Sequence, residues 1–367
     1  MDCNTSKYLQ YKQKYLEQKA GMRQIHIQIT NKDKDYEISP KLKQLLDESQ
    51  QPMLKDNTSN NTIHLLSVSQ LTKSIVLKYI SKANEMKSLG YQNKYPNKIL
   101  INMFYEPSTR TSCSFQSAAI KLGCKVISLT DKFSSSEKGE SIEDTIKTLN
   151  FYGDVIVLRH PDKGIIDKIK FSKIPIINAG NGSGEHPTQA LLDVYTIYTE
   201  LLKFKINLDS EKREKIVITF CGDLKNSRTI HSLIHILTLF PKIKFIYISP
   251  PSLGMPLEII NSIQHEQITM SSLEEAISIT DILYVTRIQK ERFSSEEEYI
   301  SSMDNYEKYH INKKMMSYAK DEMIVMHPFP RLNEISTEVD NDPRAMYFTQ
   351  IENGVYMRMA ILDYILS

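Results

Sequence analysis

Cysteine is scarce in this 367-residue sequence, and its few residues are scattered. No two of them form a C-x-x-C pair, and none has a histidine at the spacing of zinc ligands, so the sequence predicts neither a metal site nor a disulfide framework. Free thiols are typical of a reducing compartment. We therefore expect a cytoplasmic protein with reduced side chains at Cys3, Cys113, Cys124 and Cys221.

Long apolar runs and a large net charge are also missing. No uninterrupted apolar run approaches the ~20 residues that cross a bilayer, so no membrane partner is expected. The net charge of +2 is too small for electrostatic binding of nucleic acid, which excludes that class of partner. The chain has neither a G-x-G-x-x-G fingerprint nor a nucleophile elbow, and we predict no cofactor.

The main pattern that is present is an alternation of apolar runs, which predict buried strands, with amphipathic runs, which predict helices. A polar stretch at residues 205–215 separates two such series. The alternation indicates right-handed βαβ units around parallel sheets, so we predict an α/β fold of two doubly wound parallel-sheet domains linked by helices. The predicted strands are residues 99–104, 126–129, 155–158 and 174–177 in the first series and 216–221, 245–249, 282–285 and 323–326 in the second.

The first 58 residues differ from the rest of the chain. They are rich in Lys, Gln and Asn and lack the apolar core of a secretory signal. We interpret residues 1–58 as a polar N-terminal extension with limited order, and organellar targeting is the alternative.

The stretch FYEPSTRTS, residues 104–112, lies between an apolar strand and an amphipathic helix. Its hydroxyls and one guanidinium gather at the first helical turn, whose backbone N–H groups have no partner within the helix. Such an end binds anions, and Arg110 adds a planar fork that fits two oxygens of a phosphate. We predict a site for a small phosphorylated molecule, with the alternative that Ser108 or Thr109 only caps the helix.

STRTS after an apolar strand resembles the carbamoyl phosphate site of the aspartate/ornithine carbamoyltransferase superfamily. Six further motifs follow in that family's order: KGES (138–141), RHP (159–161), HPTQALLD (186–193), GDLKNSRTIHS (222–232), TRIQKER (286–292) and HPFPR (327–331). The resemblance covers about residues 59–367. It implies a carbamoyl phosphate-binding domain at residues 59–201 plus 347–367, an aspartate-binding domain at 202–346, and a final helix, around 354–366, that returns to the first domain.

The resemblance further implies that carbamoyl phosphate is the donor. Thr111, Arg159 and His186 would surround its carbonyl oxygen, and a neutral imidazole at a helix start can still donate one hydrogen bond to that oxygen. Gln189 and the backbone carbonyl of Pro328 would bind the carbamoyl amide. Arg159 alone could equally be a surface salt-bridge residue, and His186 alone a helix cap. The residues that would hold the phosphate are Ser108, Thr109, Arg110 and Thr111, and those with an implied catalytic role are Arg110, Thr111, Arg159 and His186.

The polar segment SSSEKGES, residues 134–141, predicts a mobile surface loop, and a solvated turn is the alternative. In the family such a loop enters the active site of a neighbouring subunit and supplies a serine and a lysine. Lys138 matches the lysine, and either Ser134 or Ser135 matches the serine, with Ser134 favoured. The resemblance thus implies a homotrimer with shared active sites. A separate regulatory chain is conceivable, but nothing in the sequence indicates one.

Two arginines after predicted strands of the second domain, Arg228 and Arg287, suit the two carboxyl groups of a dicarboxylate. Lys225 and Gln289 would each add a hydrogen bond. This positive charge favours L-aspartate over ornithine, and the HCLP segment and SMG loop of the ornithine enzymes are absent from the sequence. Phe329 stands where the family commonly has leucine. The implied aspartate-binding residues are Lys138, Arg159, Lys225, Arg228, Arg287, Gln289 and Phe329.

The expected reaction is transfer of the carbamoyl group to the α-amine of L-aspartate, a step of pyrimidine synthesis, without metal or covalent enzyme intermediate. One alternative keeps the chemistry and changes the acceptor to ornithine or another amine. The other is a catalytically silent homologue that acts as a scaffold, because a fold can be retained after its catalytic activity is lost.

Overall fold

The structure, a computed structural model, describes residues 62–130, 139–212, 214–290, 293, 295–302 and 306–367. The predicted extension at residues 1–58 lies outside these residues, and so do Ser134, Ser135 and Lys138. The described residues belong to one compact unit that begins at Met53.

The first half of the chain forms a sheet of four parallel strands covered by helices. Its strands are β1 (Ile99–Phe104), β2 (Lys125–Thr130), β3 (Val155–His160) and β4 (Ile176–Asn181), and its helices are α1 (Lys73–Leu89), α2 (Thr109–Lys121), α3 (Ile142–Leu149), α4 (Ile165–Ile169) and α5 (Pro187–Lys203). The spatial order is β2-β1-β3-β4. β1 and β4 are almost wholly buried, as expected for strands covered on both faces, whereas the edge strand β2 is largely exposed.

The second half forms a sheet of five parallel strands in the same manner. Its strands are β5 (Ile216–Cys221), β6 (Ile243–Ile248), β7 (Glu266–Thr269), β8 (Ile282–Val285) and β9 (Ile324–Met326). Its helices are α6 (Arg228–Leu237), α7 (Leu257–Ser262), α8 (Leu273–Ala276), α9 (Glu296–Ser302), α10 (Lys313–Met316) and α11 (Tyr347–Leu366). The spatial order is β7-β6-β5-β8-β9. The sequence analysis missed β7, because this edge strand is short, mostly exposed and lacks an apolar run.

Each sheet has one point at which its strand order reverses. In the first sheet this point lies between β1 and β3, and in the second it lies between β5 and β8. In open parallel sheets, ligands bind beyond the carboxyl ends of the strands at such points. RHP begins within the last two residues of β3, and the segments that follow β1, β5 and β8 contain STRTS, GDLKNSRTIHS and TRIQKER, so the topology brings these motifs together.

The C-terminal helix α11 returns to the first sheet, where it packs on α1, α2 and α5. The Asp363 carboxylate anchors it through Lys82 at 3.2 Å and Lys94 at 2.6 Å. The helix begins at Tyr347, so the predicted start near residue 354 was wrong. Gly354 is an interior position of close packing, since a Cβ there would lie 3.2 Å from Leu192 Cδ2. The predicted fold of two parallel-sheet domains with a returning helix is confirmed.

Across the described ranges, no helix is long and apolar enough to span a membrane. Within the same ranges no three potential metal ligands cluster, and Cys113, Cys124 and Cys221 are unpaired. The domain boundaries at residues 201 and 346 stay predictions.

Candidate active site

A cleft of about 680 Å³ lies at the carboxyl ends of the strands of both sheets. Most of the predicted site residues line it: Ser108, Thr109, Arg110, Thr111, Arg159, His186, Gln189, Arg228, Arg287, Gln289, Pro328 and Phe329. Lys225 does not line the cleft, and its side chain is exposed. The predicted loop residues Ser134, Ser135 and Lys138 lie outside the described residues.

The helices α2, α5 and α6 begin at the cleft. Their N-cap residues are Ser108, His186 and Ser227, and none of these side chains accepts a hydrogen bond from a backbone N–H of the first helical turn. The Ser108 hydroxyl instead lies 3.5 Å from Arg159 Nη1, so it is not used as a cap. The positive ends of these helices therefore contribute to a site that favours anions.

Five arginines line the cleft, namely Arg110, Arg159, Arg228, Arg287 and Arg358. Among the described lining residues only one, Glu106, carries a carboxylate. The excess of positive charge suits ligands with several negative charges.

Glu106 connects arginines from the two halves of the cleft. Its Oε2 accepts a hydrogen bond from Arg159 Nε at 3.1 Å and lies 4.0 Å from Arg228 Nη2. The Arg159 side chain is only 17% exposed, so it is not the surface residue of the alternative interpretation. Glu106 was not predicted as a site residue, although it lies inside the FYEPSTRTS stretch, because anion binding there was predicted from the hydroxyls and the cation alone.

Arg358 on α11 was also missed. It is buried, its guanidinium lies 5.1 Å from the centre of the Phe115 ring, and burial lowers its pKa to about 10. Its Nε has no hydrogen-bond partner among the described residues. An arginine inside the apolar run YMRMAIL was the available sequence signal, since a cation in a buried helix stretch needs a reason.

His186 is buried at the start of α5, where its environment keeps the imidazole neutral. Burial lowers its pKa well below the usual value, and Arg228, Arg159 and Arg358 lower it further. The Thr188 hydroxyl lies 3.4 Å from His186 Nδ1, and the backbone N–H of His186 donates to Ser232. If Thr188 donates to Nδ1, then Nε2 carries the proton and can donate to an oxygen in the cleft.

The wall formed by the second sheet holds Arg228, Arg287 and Gln289, all partly exposed. Arg228 reaches the first sheet, because its Nη1 donates to the backbone carbonyl of Gly182. Gly180, with φ of +116°, allows this approach, since a Cβ there would lie 3.0 Å from Arg228 Nη2. The two halves of the cleft thus already touch through this guanidinium.

The segment after β9 closes one side of the cleft. Phe329 has φ of +56°, and its N–H donates to His327 Nδ1 at 2.8 Å. Its ring packs against His327, Tyr347 and Phe348. The side chain in place of leucine is therefore held by aromatic neighbours, while the backbone of Pro328 remains at the cleft.

The geometry of the cleft defines the class of reaction that it suits. Open helix ends, arginines from two sheets and a neutral imidazole suit the binding of two anionic reactants and the transfer of an uncharged acyl-type group between them. The described residues of the site offer hydrogen-bond donors for a developing oxyanion without a cluster of metal ligands.

Residues 63–199 match the family description "Aspartate/ornithine carbamoyltransferase, carbamoyl-P binding domain", and residues 214–365 match "Aspartate/ornithine carbamoyltransferase, Asp/Orn binding domain". These matches cover more than half of the chain. The chain belongs to the aspartate/ornithine carbamoyltransferase family, which confirms the resemblance drawn from the motifs.

Named relatives agree on the branch of this family. A protein named aspartate carbamoyltransferase catalytic subunit from Clostridium botulinum is 48% identical over 276 residues, which is 74% of this chain and 86% of that protein. The crystal structure of aspartate transcarbamoylase from Trypanosoma cruzi in complex with N-(phosphonacetyl)-L-aspartic acid has a TM-score of 0.77 and 37% identity. That match covers 86% of this chain and 99% of the solved one.

A third relative is much longer. Multifunctional protein pyr1-3 of Dictyostelium discoideum is 46% identical over 317 residues, which is 83% of this chain. The chain spans only 14% of that protein and 13% of the similar multifunctional protein CAD of Squalus acanthias.

Proposed function

We propose that this chain transfers the carbamoyl group of carbamoyl phosphate to the α-amine of L-aspartate, giving N-carbamoyl-L-aspartate and phosphate for pyrimidine synthesis. The observation that carries the proposal is the convergence of arginines from two sheets, around the buried neutral imidazole of His186, in a single cleft. The similarity to proteins named aspartate carbamoyltransferase supports the same reaction.

The donor binds to the wall formed by the first sheet. The open start of α2, with the Ser108, Thr109 and Thr111 hydroxyls and the Arg110 guanidinium, holds the phosphate. Partial burial and the nearby Arg159 lower the pKa of Arg110, which is the signature of a cation that lacks enough negative charge around it. A phosphate supplies that charge.

The transfer step needs a polarised carbonyl and an uncharged amine. The carbonyl oxygen lies among Thr111, Arg159 and His186, and His186 donates as a neutral imidazole. The aspartate amine attacks the carbonyl carbon and forms a C–N bond, and a tetrahedral intermediate carries the charge on the former carbonyl oxygen. The C–O bond to phosphate then breaks, and the departing phosphate accepts the amine proton. No group on the protein changes its covalent state.

The acceptor binds to the wall formed by the second sheet. Arg228 and Arg287 pair with the two carboxyl groups, and Gln289 adds a hydrogen bond. Lys225 is exposed and outside the cleft, so it has a smaller part in this proposal than the sequence implied. Ornithine would bring a cation into a wall of cations.

A direct competition tests the acceptor. Carbamoyl phosphate is supplied with equal L-aspartate and L-ornithine, and both carbamoylated products are quantified. We expect aspartate to be preferred by at least about a hundredfold in kcat/KM, because like charges in a desolvated site cost several kcal/mol. Dominant carbamoylornithine would overturn the acceptor assignment, and the absence of both products would favour the silent scaffold.

The proposal includes a homotrimer in which Lys138 and Ser134 or Ser135 complete the cleft of a neighbouring subunit. Motif similarity supports it, and so does the cleft itself, whose described lining contains arginines but no lysine. Mixing the inactive variants Lys138→Ala and Arg110→Ala should restore part of the activity if sites are shared. Mixtures as inactive as their components would contradict sharing.

We also propose a cytoplasmic location, supported by the scarcity and scatter of cysteine. Imaging of a tagged chain with and without residues 1–58 tests it. A redistribution on truncation would instead assign a targeting role to that extension.

A further inference from the structure

Asp193 is a fully buried carboxylate behind the cleft, one turn after Gln189 on α5. It does not line the cleft. Its Oδ1 accepts from Gln189 Nε2 at 2.9 Å and from Gln350 Nε2 at 2.6 Å, and its Oδ2 accepts from Tyr284 Oη at 2.8 Å. Removing a carboxylate from water costs free energy, which the three hydrogen bonds to Asp193 only offset. A buried carboxylate with three donors therefore suggests a role other than packing.

The first consequence concerns Gln189. A glutamine amide has a donor end and an acceptor end. One of the two Nε2 hydrogens is bound to Asp193, which fixes the orientation of the amide and leaves the acceptor oxygen Oε1 for the cleft that Gln189 lines. Without the carboxylate, nothing on the donor side would fix which end of the amide faces a ligand.

The second consequence reaches Pro328 through Gln350. Gln350 Nε2 donates to Asp193, and its Oε1 accepts from the backbone N–H of His327 at 2.9 Å. Both ends of this amide are therefore used, and they tie the backbone at His327 to Asp193. Pro328 follows at the cleft, and proline offers only a carbonyl oxygen for hydrogen bonding.

We propose that Asp193 is a positioning residue that sets donor specificity, by holding Gln189 Oε1 and the Pro328 carbonyl as two acceptors for the NH₂ group of the donor. This inference rests on the proposed function and assigns a part of it to a residue outside the cleft. A donor with a methyl group in place of NH₂ has nothing to offer these acceptors, whereas the phosphate and carbonyl contacts are the same for both donors.

The arrangement does not depend on whether Asp193 carries a proton. Both glutamine amides share Oδ1, so a proton on Oδ2, beside Tyr284 Oη, would leave the acceptor for the amides intact. Tyr284 donates to Oδ2 and not to the Oδ1 atom that accepts from both amides, and its hydroxyl also interacts with Thr229 and Gln350. Tyr284→Phe therefore serves as a control that removes one of the three hydrogen bonds to the carboxylate and keeps both amide bonds to Oδ1.

The experiment compares two probes, carbamoyl phosphate and acetyl phosphate, whose dissociation constants are measured by titration calorimetry or by competition on the full chain. The variants are Asp193→Leu, which removes the shared acceptor, Gln350→Met, which disconnects the Pro328 side and also replaces an amide that lines the cleft, and Tyr284→Phe as the control. The ratio of the two dissociation constants is the readout, because a general loss of packing weakens both probes alike.

We expect Asp193→Leu to weaken the binding of carbamoyl phosphate by about tenfold to a hundredfold relative to that of acetyl phosphate, because two oriented hydrogen bonds to the donor are lost. Gln350→Met should lower the same preference by about threefold to tenfold, and Tyr284→Phe should leave it unchanged. Equal weakening of both probes, or an unchanged preference in Gln350→Met, would overturn the inference. If Asp193→Leu does not fold, Gln350→Met decides.

The failure of this inference can be told from failure of the proposed function. An unmodified chain that forms no carbamoylaspartate would refute the function itself. An unmodified chain that forms it, with variants that keep their preference for carbamoyl phosphate, would refute only the role of Asp193.

Discussion

Helix starts at the cleft differ from three helix starts at the surface. At the surface, Thr72 accepts a hydrogen bond from the Ile75 N–H, Ser141 from that of Asp144, and Asn312 from that of Met315. At the cleft, the N-cap side chains of α2, α5 and α6 make no such bond. The chain gives up a stabilising cap, worth ~1 kcal/mol each, where backbone donors are needed for ligands. The same residue types thus serve stability in one region and binding in the other.

We expect the largest effect when the guanidinium at the uncapped start of α2 is removed. Arg110→Ala should lower kcat/KM by about a thousandfold, because a charged donor to the reacting phosphate is lost. The melting temperature should stay close to that of the unmodified chain, since Arg110 is exposed and its guanidinium is repelled by the nearby Arg159. A near-normal rate would remove Arg110 from the site.

The second wall offers a comparison between a cation inside the cleft and one outside it. Arg287→Ala should raise the KM for aspartate by about ten- to a hundredfold, as expected for a lost hydrogen bond to a charged group. Lys225→Ala should change it by less than about threefold, because surface ion pairs contribute little. Steady-state kinetics with saturating carbamoyl phosphate measures both, and equal effects would contradict the assignment of the walls.

Two alanine substitutions test the capping contrast itself. Thr72→Ala should cost about 1 kcal/mol of unfolding free energy and leave activity unchanged, because the hydroxyl caps α1. Ser108→Ala should leave stability nearly unchanged and weaken the binding of carbamoyl phosphate by about fivefold, since its hydroxyl makes no cap bond and lines the cleft beside Arg159. Urea unfolding and ligand titration of both variants decide. A stability loss in Ser108→Ala equal to that of Thr72→Ala would remove the distinction.

The smallest expected effect is the contribution of His186, at the start of α5, to the pH dependence of stability. The pKa of His186 is lowered by burial and by three arginines, so between pH 7 and pH 6 the unfolded chain takes up more protons than the folded one. The contribution of His186 to stability therefore falls by about 0.7 kcal/mol as the pH decreases from 7 to 6. His186→Gln should remove that contribution; His231 and His327 act in the same direction, whereas burial raises the pKa of Asp193 to about 7 and gives its contribution the opposite sign. An unchanged slope would mean that the imidazole is not held neutral.

Much of the fold could be predicted from the sequence because buried parallel strands consist of consecutive apolar residues. β1, β5 and β8 begin and end where predicted. The start of α11 was placed seven residues too late, and Gly354 packs against Leu192 inside the helix. Local patterns do not reveal such contacts between distant segments.

The same limit applies to the site. Motifs after strands identified the residues that face the cleft, because strand ends meet at one edge of each sheet. Glu106, Arg358 and Asp193 gain their roles from partners far away in the chain, such as Arg228 for Glu106 and Gln350 for Asp193. Lys225 shows the converse, since a suitable residue type in a suitable motif lies outside the cleft.

The most direct test of the account is the affinity of N-(phosphonacetyl)-L-aspartate, which carries the phosphonate and both carboxylates in one molecule. If both walls act on one pair of reactants, calorimetry should give a Kd at least about a thousandfold below that of L-aspartate or phosphonoacetate alone, because one binding event collects both sets of contacts. A Kd no lower than that of the tighter half would contradict the account.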